Sequence, residues 1–319
     1  MPLETSKSQI AVVGAGLVGS AWAIVFARAG HDVAVYDAVE GGADRAIGLI
    51  GDRLKTLEEV GLIEDAAAAG QRVRVAASLA DAVADAAYIQ ESVFETVEQK
   101  RQIFAALDAV VGPETLIGSS SSGIPASAFT DHVGCRERCL IAHPVNPPYL
   151  IPVVELVPAP WTAAATVQRV RALMESVGQE PVELTREIEG FALNRLQGLL
   201  LAEAWKLVAD GIMSVEDVDR TVSAGLGLRW SFMGPFETID LNAPGGVADY
   251  ARRFRTMYET IAGSRGVDLG WDDALIAEVE RQRRVALPAD RLAERSAWRD
   301  RRLMALMAHK RSSQDPAAG

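Results

Sequence analysis

Residues 10–37, IAVVGAGLVGSAWAIVFARAGHDVAVYD, run through an apolar strand, a glycine-rich turn, a helix, a second strand and a terminal acid. The strand is Ile10 to Val13 and the turn is Gly14-Ala15-Gly16-Leu17-Val18-Gly19. The helix covers Ser20 to Ala29, and the second strand, Asp32 to Tyr36, ends in Asp37. Gly14 permits the tight turn, Gly16 lets a pyrophosphate approach the backbone N–H groups at the helix start, and Gly19 lets helix and strand pack closely. Asp37 stands 18 residues beyond Gly19, where a carboxylate accepts both ribose hydroxyls of an adenosine and repels a 2′-phosphate. Ala38, Val39 and Glu40 follow it with no Arg, which favours NAD over NADP. FAD would suit the same turn; the proton chemistry below favours a nicotinamide cofactor.

Working outward, Ala43 to Val60 carries Ile47, Ile50, Leu54 and Leu57 at spacings of three and four, an amphipathic helix, with a second short helix after Ile63. Arg72 to Ala76 alternates as a strand, Leu79 to Ala86 is a short helix, and Tyr88 to Val93 is another strand, with Glu95 and Lys100 just past it. A helix over Gln102 to Val111 leads to a strand, Thr115 to Gly118, that opens into Ser119-Ser120-Ser121-Ser122-Gly123. A serine run after a strand is most often a polar turn or a cap.

Residues 139–158, CLIAHPVNPPYLIPVVELVP, read as a buried strand ending in His143, a proline-broken turn, and a second strand holding Glu155. A buried carboxylate needs a partner, and His143 is the nearest candidate. A carboxylate that takes a hydrogen bond from one imidazole nitrogen leaves the other free as a base. A structural His with an unrelated Glu is the bland alternative. The glycine turn, Asp37, Glu95, Ser122 and His143 all fall at predicted carboxyl ends of successive strands. A doubly wound sheet gathers such ends along one crevice.

A helix over Ala164 to Val177 and a strand over Pro181 to Leu184 complete this part. The fold class is therefore α/β, a Rossmann-like doubly wound and mostly parallel sheet over residues 1–188, followed by an all-α domain over 189–319. Helices are expected at Phe191 to Ala209, Val215 to Ala224, Val247 to Ile261, Asp273 to Arg284 and Ala289 to Arg311. The first is apolar almost all round (Leu193, Leu196, Leu199, Leu200, Leu201, Trp205), so it must be covered, and a dimer seam would do that. Asn194 near its start is either a helix-terminal hydrogen bonder or a donor to substrate.

The net charge of -11 and pI near 5.0 disfavour a nucleic-acid partner. The late basic residues (Arg291, Arg295, Arg299, Arg301, Arg302, Lys310, Arg311) are interleaved with Asp290, Glu294 and Asp300 as on a solvated helix face. Cys135 and Cys139 cannot staple a chain of 319 residues, and a reducing, cytoplasmic setting is expected. Cys135, Cys139 and His143 are spaced by four, but the last part reads as strand, so they share no face and no metal site is expected. No signal peptide is expected from MPLETSKSQ and no membrane span from the apolar runs, and no internal repeat or low-complexity segment is visible beyond the polar tail after Lys310.

Several blocks together, VVGAGLVG, YIQESVFETVEQKRQIF, SSSSG, AHPVNPPYLIPVVELVP, EIEGFALNRLQ, EAWKLVADGI and LGLRWSFMGPFETIDLN, are similar to the L-3-hydroxyacyl-CoA dehydrogenase superfamily over nearly the whole length. Within it the chain most resembles the lambda-crystallin and L-gulonate 3-dehydrogenase branch. The resemblance implies a catalytic group of Ser122, His143, Glu155 and Asn194. It also implies NAD contacts at Asp37, Glu95 and Lys100, with Leu17 and Val18 in the glycine turn, and a homodimer paired through the helical domain. The acyl-CoA enzymes carry an Asn in place of Ser120 and aromatic residues in place of Pro144 and Val145. They have no Arg in place of Arg229, whereas the gulonate-type branch looks like this chain at all three places. A guanidinium at Arg229 suits a free carboxylate, or alternatively an intersubunit ion pair. The expected function is thus NAD-dependent oxidation of the 3-hydroxyl of a small hydroxy acid, L-gulonate first. Short-chain 3-hydroxyacyl-CoA or carnitine-type substrates are the alternatives, and a crystallin-like structural role is the non-enzymatic one.

Overall fold

The computed structural model describes residues 8–266 and 272–312. Residues 1–7 of the leading segment and 313–319 of the polar tail lie outside these, as do the side chains of Arg299, Asp300, Arg301, Lys310 and Arg311. Two compact units are present, Met1–Leu201 and Ala202–Gly319, with the division inside a helix.

The first unit is built on eight strands: β1 (Gln9–Val13), β2 (Val33–Tyr36), β3 (Val73–Val75), β4 (Ala86–Glu91), β5 (Leu116–Ser119), β6 (Cys139–Pro144), β7 (Val153–Pro158) and β8 (Glu180–Glu183). Their spatial order is β3-β2-β1-β4-β5-β6-β7-β8. Every neighbouring pair is parallel except β6 with β7. Helices are α1 (Leu17–Arg28), α2 (Gly42–Glu59), α3 (Ala66–Gln71), α4 (Leu79–Val83), α5 (Val97–Asp108), α6 (Ser127–Thr130) and α7 (Ala164–Ser176), and α8 (Leu193–Ala209) starts here.

The central strands are apolar runs because parallel strands are covered on both faces. Alternate side chains divide them between two cores. Ile10, Val12, Tyr88, Leu140 and Leu156 pack with Trp22 and Phe26 of α1, and Ala11, Val13, Ile89, Ile117 and Ile141 pack with Phe104 and Phe129. α2 buries Ala43, Ala46, Ile50, Leu54 and Leu57, a helical stripe against the first core.

Two element boundaries differ from expectation in ways that matter. α5 starts at Val97 rather than Gln102, because Thr96 caps it by accepting from the Gln99 N–H. Lys100 thus sits within the helix. β4 ends at Glu91, leaving Ser92 and Val93 beyond the sheet.

The second unit holds α9 (Val215–Thr221), α10 (Gly227–Trp230), α11 (Pro235–Asp240), α12 (Gly246–Gly263), α13 (Asp273–Ala286) and α14 (Leu292–Ser312), with no strand among the described residues. A π-helical turn, Val222–Leu226, ends α9 earlier than its apolar pattern predicts. No helix among the described residues is long and apolar enough to cross a membrane.

Candidate active site

The glycine turn joins β1 to α1 in the form that its residues require. Gly14 has φ +98°, and a Cβ there would lie 2.6 Å from the Ser92 carbonyl group. A Cβ on Gly19 would lie 1.8 Å from the Gly14 oxygen, whereas one on Gly16 would meet nothing within 4 Å. Gly16 therefore leaves open space in front of the first turn of α1, which carries no acidic residue and no side-chain cap. The N–H groups of Leu17, Val18 and Gly19 donate to no described residue, so the helix start is free to receive an anion. Asp37, at the carboxyl end of β2, accepts the Ala15 N–H at 2.7 Å and the Val39 N–H at 2.8 Å. It is half-buried, so its remaining lone pairs can take ribose hydroxyls. Turn, helix start and acid fit an adenine dinucleotide.

On the other side of β4 and β5, His143 and Glu155 are direct partners in the antiparallel pair β6–β7. His143 Nδ1 is 2.8 Å from Glu155 Oε2, and both side chains are buried. The other carboxylate oxygen accepts the Ala192 N–H at 2.8 Å and the Leu193 N–H at 2.9 Å. These amides are presented by a left-handed turn, Gly190 at φ +74° and Phe191 at φ +53°, which buries the Phe191 ring 5.5 Å from the imidazole. Burial alone would raise the Glu155 pKa. The His143 bond and the two amides outweigh it and hold the carboxyl below its ordinary value. Glu155 is thus ionised and fixes the imidazole with Nδ1 as donor, and Nε2 bonds to no described residue. Such an arrangement can take up and release a proton at Nε2.

The same turn starts α8, and Asn194 in its first turn donates from Nδ2 to the Ser122 carbonyl oxygen at 2.5 Å. Ser122 is exposed, and its hydroxyl bonds to no described residue. The turn at residues 192–194 therefore ties the His143–Glu155 pair, through its backbone amides, to the serine loop, through the Asn194 side chain.

Glu95 and Lys100 both lie against the serine loop and the end of β4. Glu95 Oε1 accepts from the Ser121 hydroxyl at 2.6 Å, the Ser122 N–H at 2.8 Å and the Gly123 N–H at 3.2 Å, so it holds the serine loop. Desolvation opposes its ionisation, but the serine-loop donors and the Lys100 charge lower its pKa. The Lys100 side chain is 1% exposed, and its Nζ lies 3.1 Å from both oxygens of the buried Glu91 and 3.6 Å from Glu95, and stands over the Phe129 ring. Glu91 also accepts from the Ser119 hydroxyl. Glu91 escapes sequence reading; a carboxylate at the end of the strand AAYIQE is the signal that could have shown it. Arg229 lies on α10 in the second unit, half-buried, with no hydrogen bond or ion pair to another described residue. Cys135 and Cys139 are buried free thiols with Sγ atoms 3.8 Å apart.

The family model described as "3-hydroxyacyl-CoA dehydrogenase, NAD binding domain" matches residues 9–188, and that for the C-terminal domain matches 190–268. The chain belongs to the 3-hydroxyacyl-CoA dehydrogenase family. It is 41% identical to lambda-crystallin of Oryctolagus cuniculus, over 97% of this chain and 98% of that one. It is 37% identical to an L-carnitine dehydrogenase of Streptomyces griseus, over 90% and 86% of the two chains. Among solved structures it is similar to a 5-formyl-3-hydroxy-2-methylpyridine 4-carboxylic acid 5-dehydrogenase described as an NAD+-dependent dismutase. The TM-score is 0.71 at 27% identity, covering 95% of this chain and 98% of that one. Membership in the 3-hydroxyacyl-CoA dehydrogenase family makes NAD the cofactor and the chain an oxidoreductase acting on CH–OH groups.

Proposed function

We propose that this chain oxidises the 3-hydroxyl of a small, polar hydroxy acid bearing a free carboxylate, with L-gulonate the first candidate. The observation that carries the reading is the buried His143–Glu155 pair with Nε2 left unbonded. Bound NAD supplies the hydride acceptor. His143 Nε2 takes the proton of the substrate hydroxyl, and Glu155 stabilises the imidazolium so formed. Ser122 and Asn194 hydrogen-bond the oxygen undergoing change. Leu17, Val18 and the glycines hold the pyrophosphate, Asp37 holds the adenosine ribose, and Glu95 and Lys100 are assigned as further NAD contacts beside the serine loop.

Arg229 is assigned to the substrate carboxylate. Its lack of an ion-pair partner among the described residues supports this, since a half-buried guanidinium is costly to leave unpaired. Carnitine and the pyridine carboxylic acid named for two relatives are also carboxylates. A carnitine-type substrate is therefore the second reading. NADH formation followed side by side with L-gulonate, L-carnitine and 3-hydroxybutyryl-CoA decides the matter. Gulonate is expected to turn over fastest, and turnover of the thioester alone would overturn the carboxylate reading.

We also place the functional division at 188/189, with residues 1–188 binding NAD and 189–319 serving substrate binding and dimerisation. Leu196, Leu199 and Trp205 on α8 are 66%, 67% and 74% exposed, and no residue of that helix is buried in the single chain. Such a surface supports a homodimer. Light scattering on the purified chain is expected to give twice the monomer mass. The unbridged Cys135 and Cys139 fit a reducing, cytoplasmic setting.

A further inference from the structure

We propose that the paired hydroxyls of Ser92 and Ser120 donate a hydrogen bond to the nicotinamide riboside half of bound NAD, Ser92 being the outward donor. The starting point is a buried polar chain in an otherwise apolar layer. Tyr88, Gln90 and Ser92 alternate onto one face of β4 and its continuation, the face covered by α1, where Phe26 meets the Tyr88 ring at 5.9 Å. Gly118 of β5 makes room for the tyrosine hydroxyl, because a Cβ there would lie 2.0 Å from it.

The direction of every proton in this chain follows from its one fixed acceptor. Gln90 is fully buried, and its Nε2 lies 3.3 Å from the Ala142 carbonyl oxygen, which can only accept. The amide orientation is thereby set. Tyr88 must then donate to Gln90 Oε1 at 2.6 Å, and the second Nε2 hydrogen goes to Ser120 Oγ at 2.8 Å. Ser120 Oγ is 2.9 Å from Ser92 Oγ. Two hydroxyls so joined use one of their two protons between them. The other must leave the pair, since neither bonds to any further described acceptor. Ser120 is 9% exposed and Ser92 is half-buried, so the free proton belongs on Ser92. Ser92 thereby offers an outward donor at the rim of a chain whose other groups are satisfied within it.

Topology says what accepts it. The Ser92 carbonyl lies against Gly14, the first glycine of the cofactor turn. β1 stands between β2, whose end carries Asp37 for the adenosine, and β4, with β5 next. A dinucleotide whose pyrophosphate lies on α1 and whose adenosine lies over β2 runs its other half over the ends of β4 and β5. Strand alternation places Ser92 and Ser120 on the α1 face and His143 with Glu155 on the opposite face. The hydroxyl pair therefore meets the cofactor from the side away from the proton-transfer group. Oxygens of the nicotinamide ribose or carboxamide are the acceptors available there.

The test is a fluorescence titration with NADH beside calorimetric titration with ADP, which lacks the nicotinamide riboside. Ser92→Ala and Ser120→Ala are expected to weaken NADH binding about three- to tenfold and to leave ADP binding unchanged. Ser92→Thr, which keeps the hydroxyl, is expected to bind NADH as the unaltered chain does. Unchanged NADH affinity in Ser92→Ala, or parallel loss of NADH and ADP affinity, overturns the proposal. If Ser120→Ala lowers the melting temperature too far for titration, the Ser92 variants decide alone.

Discussion

His143 and Glu155 face one another across the antiparallel pair β6–β7, with Nδ1 2.8 Å from Oε2. The pairing register, not a flexible contact, fixes the imidazole, and the carboxylate's second oxygen is tied to the start of α8. A neutral amide in place of this carboxylate offers one acceptor where two are needed. Glu155→Gln is therefore expected to lower kcat by about a hundredfold or more, because the imidazole loses its tautomer and its counter-charge. Steady-state NADH formation measures this, and a variant within about twofold of the parent would remove Glu155 from the mechanism.

Glu155 also predicts a pH dependence of stability. Its folded pKa lies below the ordinary value of 4.5, so its contribution is fully present above that pH and is lost as pH falls through the folded pKa. Melting temperature is expected to hold down to about pH 5 and then fall, and the gap between parent and Glu155→Gln is expected to narrow over the same window. A gap that stays constant from pH 6 to about pH 3 would contradict the depressed pKa.

Glu95 gathers three donors from Ser121, Ser122 and Gly123 on one oxygen. Glu95→Ala releases the loop that carries Ser122, and small displacements of positioning groups cost about a hundredfold in rate. The expected outcome is a fall in kcat of about ten- to a hundredfold that exceeds any loss of NADH affinity. A change confined to NADH affinity would make Glu95 a cofactor ligand and nothing more.

Lys100 is 1% exposed and sits between Glu91 and Glu95. Lys100→Met leaves the buried Glu91 without its counter-charge and is expected to cost about 3–5 kcal/mol, read by urea unfolding. The double variant with Glu91→Gln is expected to recover part of that loss. No recovery would mean that the two groups are not coupled.

The first strand–turn–helix–strand unit was legible because Gly14 and Gly19 answer steric demands that no residue with a Cβ meets. The His143–Glu155 pairing was legible because prolines bracket the turn between two apolar runs. What sequence could not yield is burial of charge. Lys100 stands in a helix whose neighbours Glu98, Gln99 and Arg101 are polar, so it reads as surface until the sheet brings Glu91 beneath it. The same holds for Tyr88, Gln90 and Ser120, whose connection crosses from β4 to β5 and is invisible to spacing along one strand. The left-handed Phe191 was hidden for a different reason, since its conformation is imposed by the contacts of its ring and of the two amides that follow.

The central claim is that His143 carries the proton. The most direct measurement compares His143→Ala with the parent for NADH affinity and for turnover of the best substrate. NADH binding is expected to stay within about twofold while turnover falls by about 10²- to 10⁴-fold. Turnover retained within about tenfold of the parent, with NADH still bound, would contradict it.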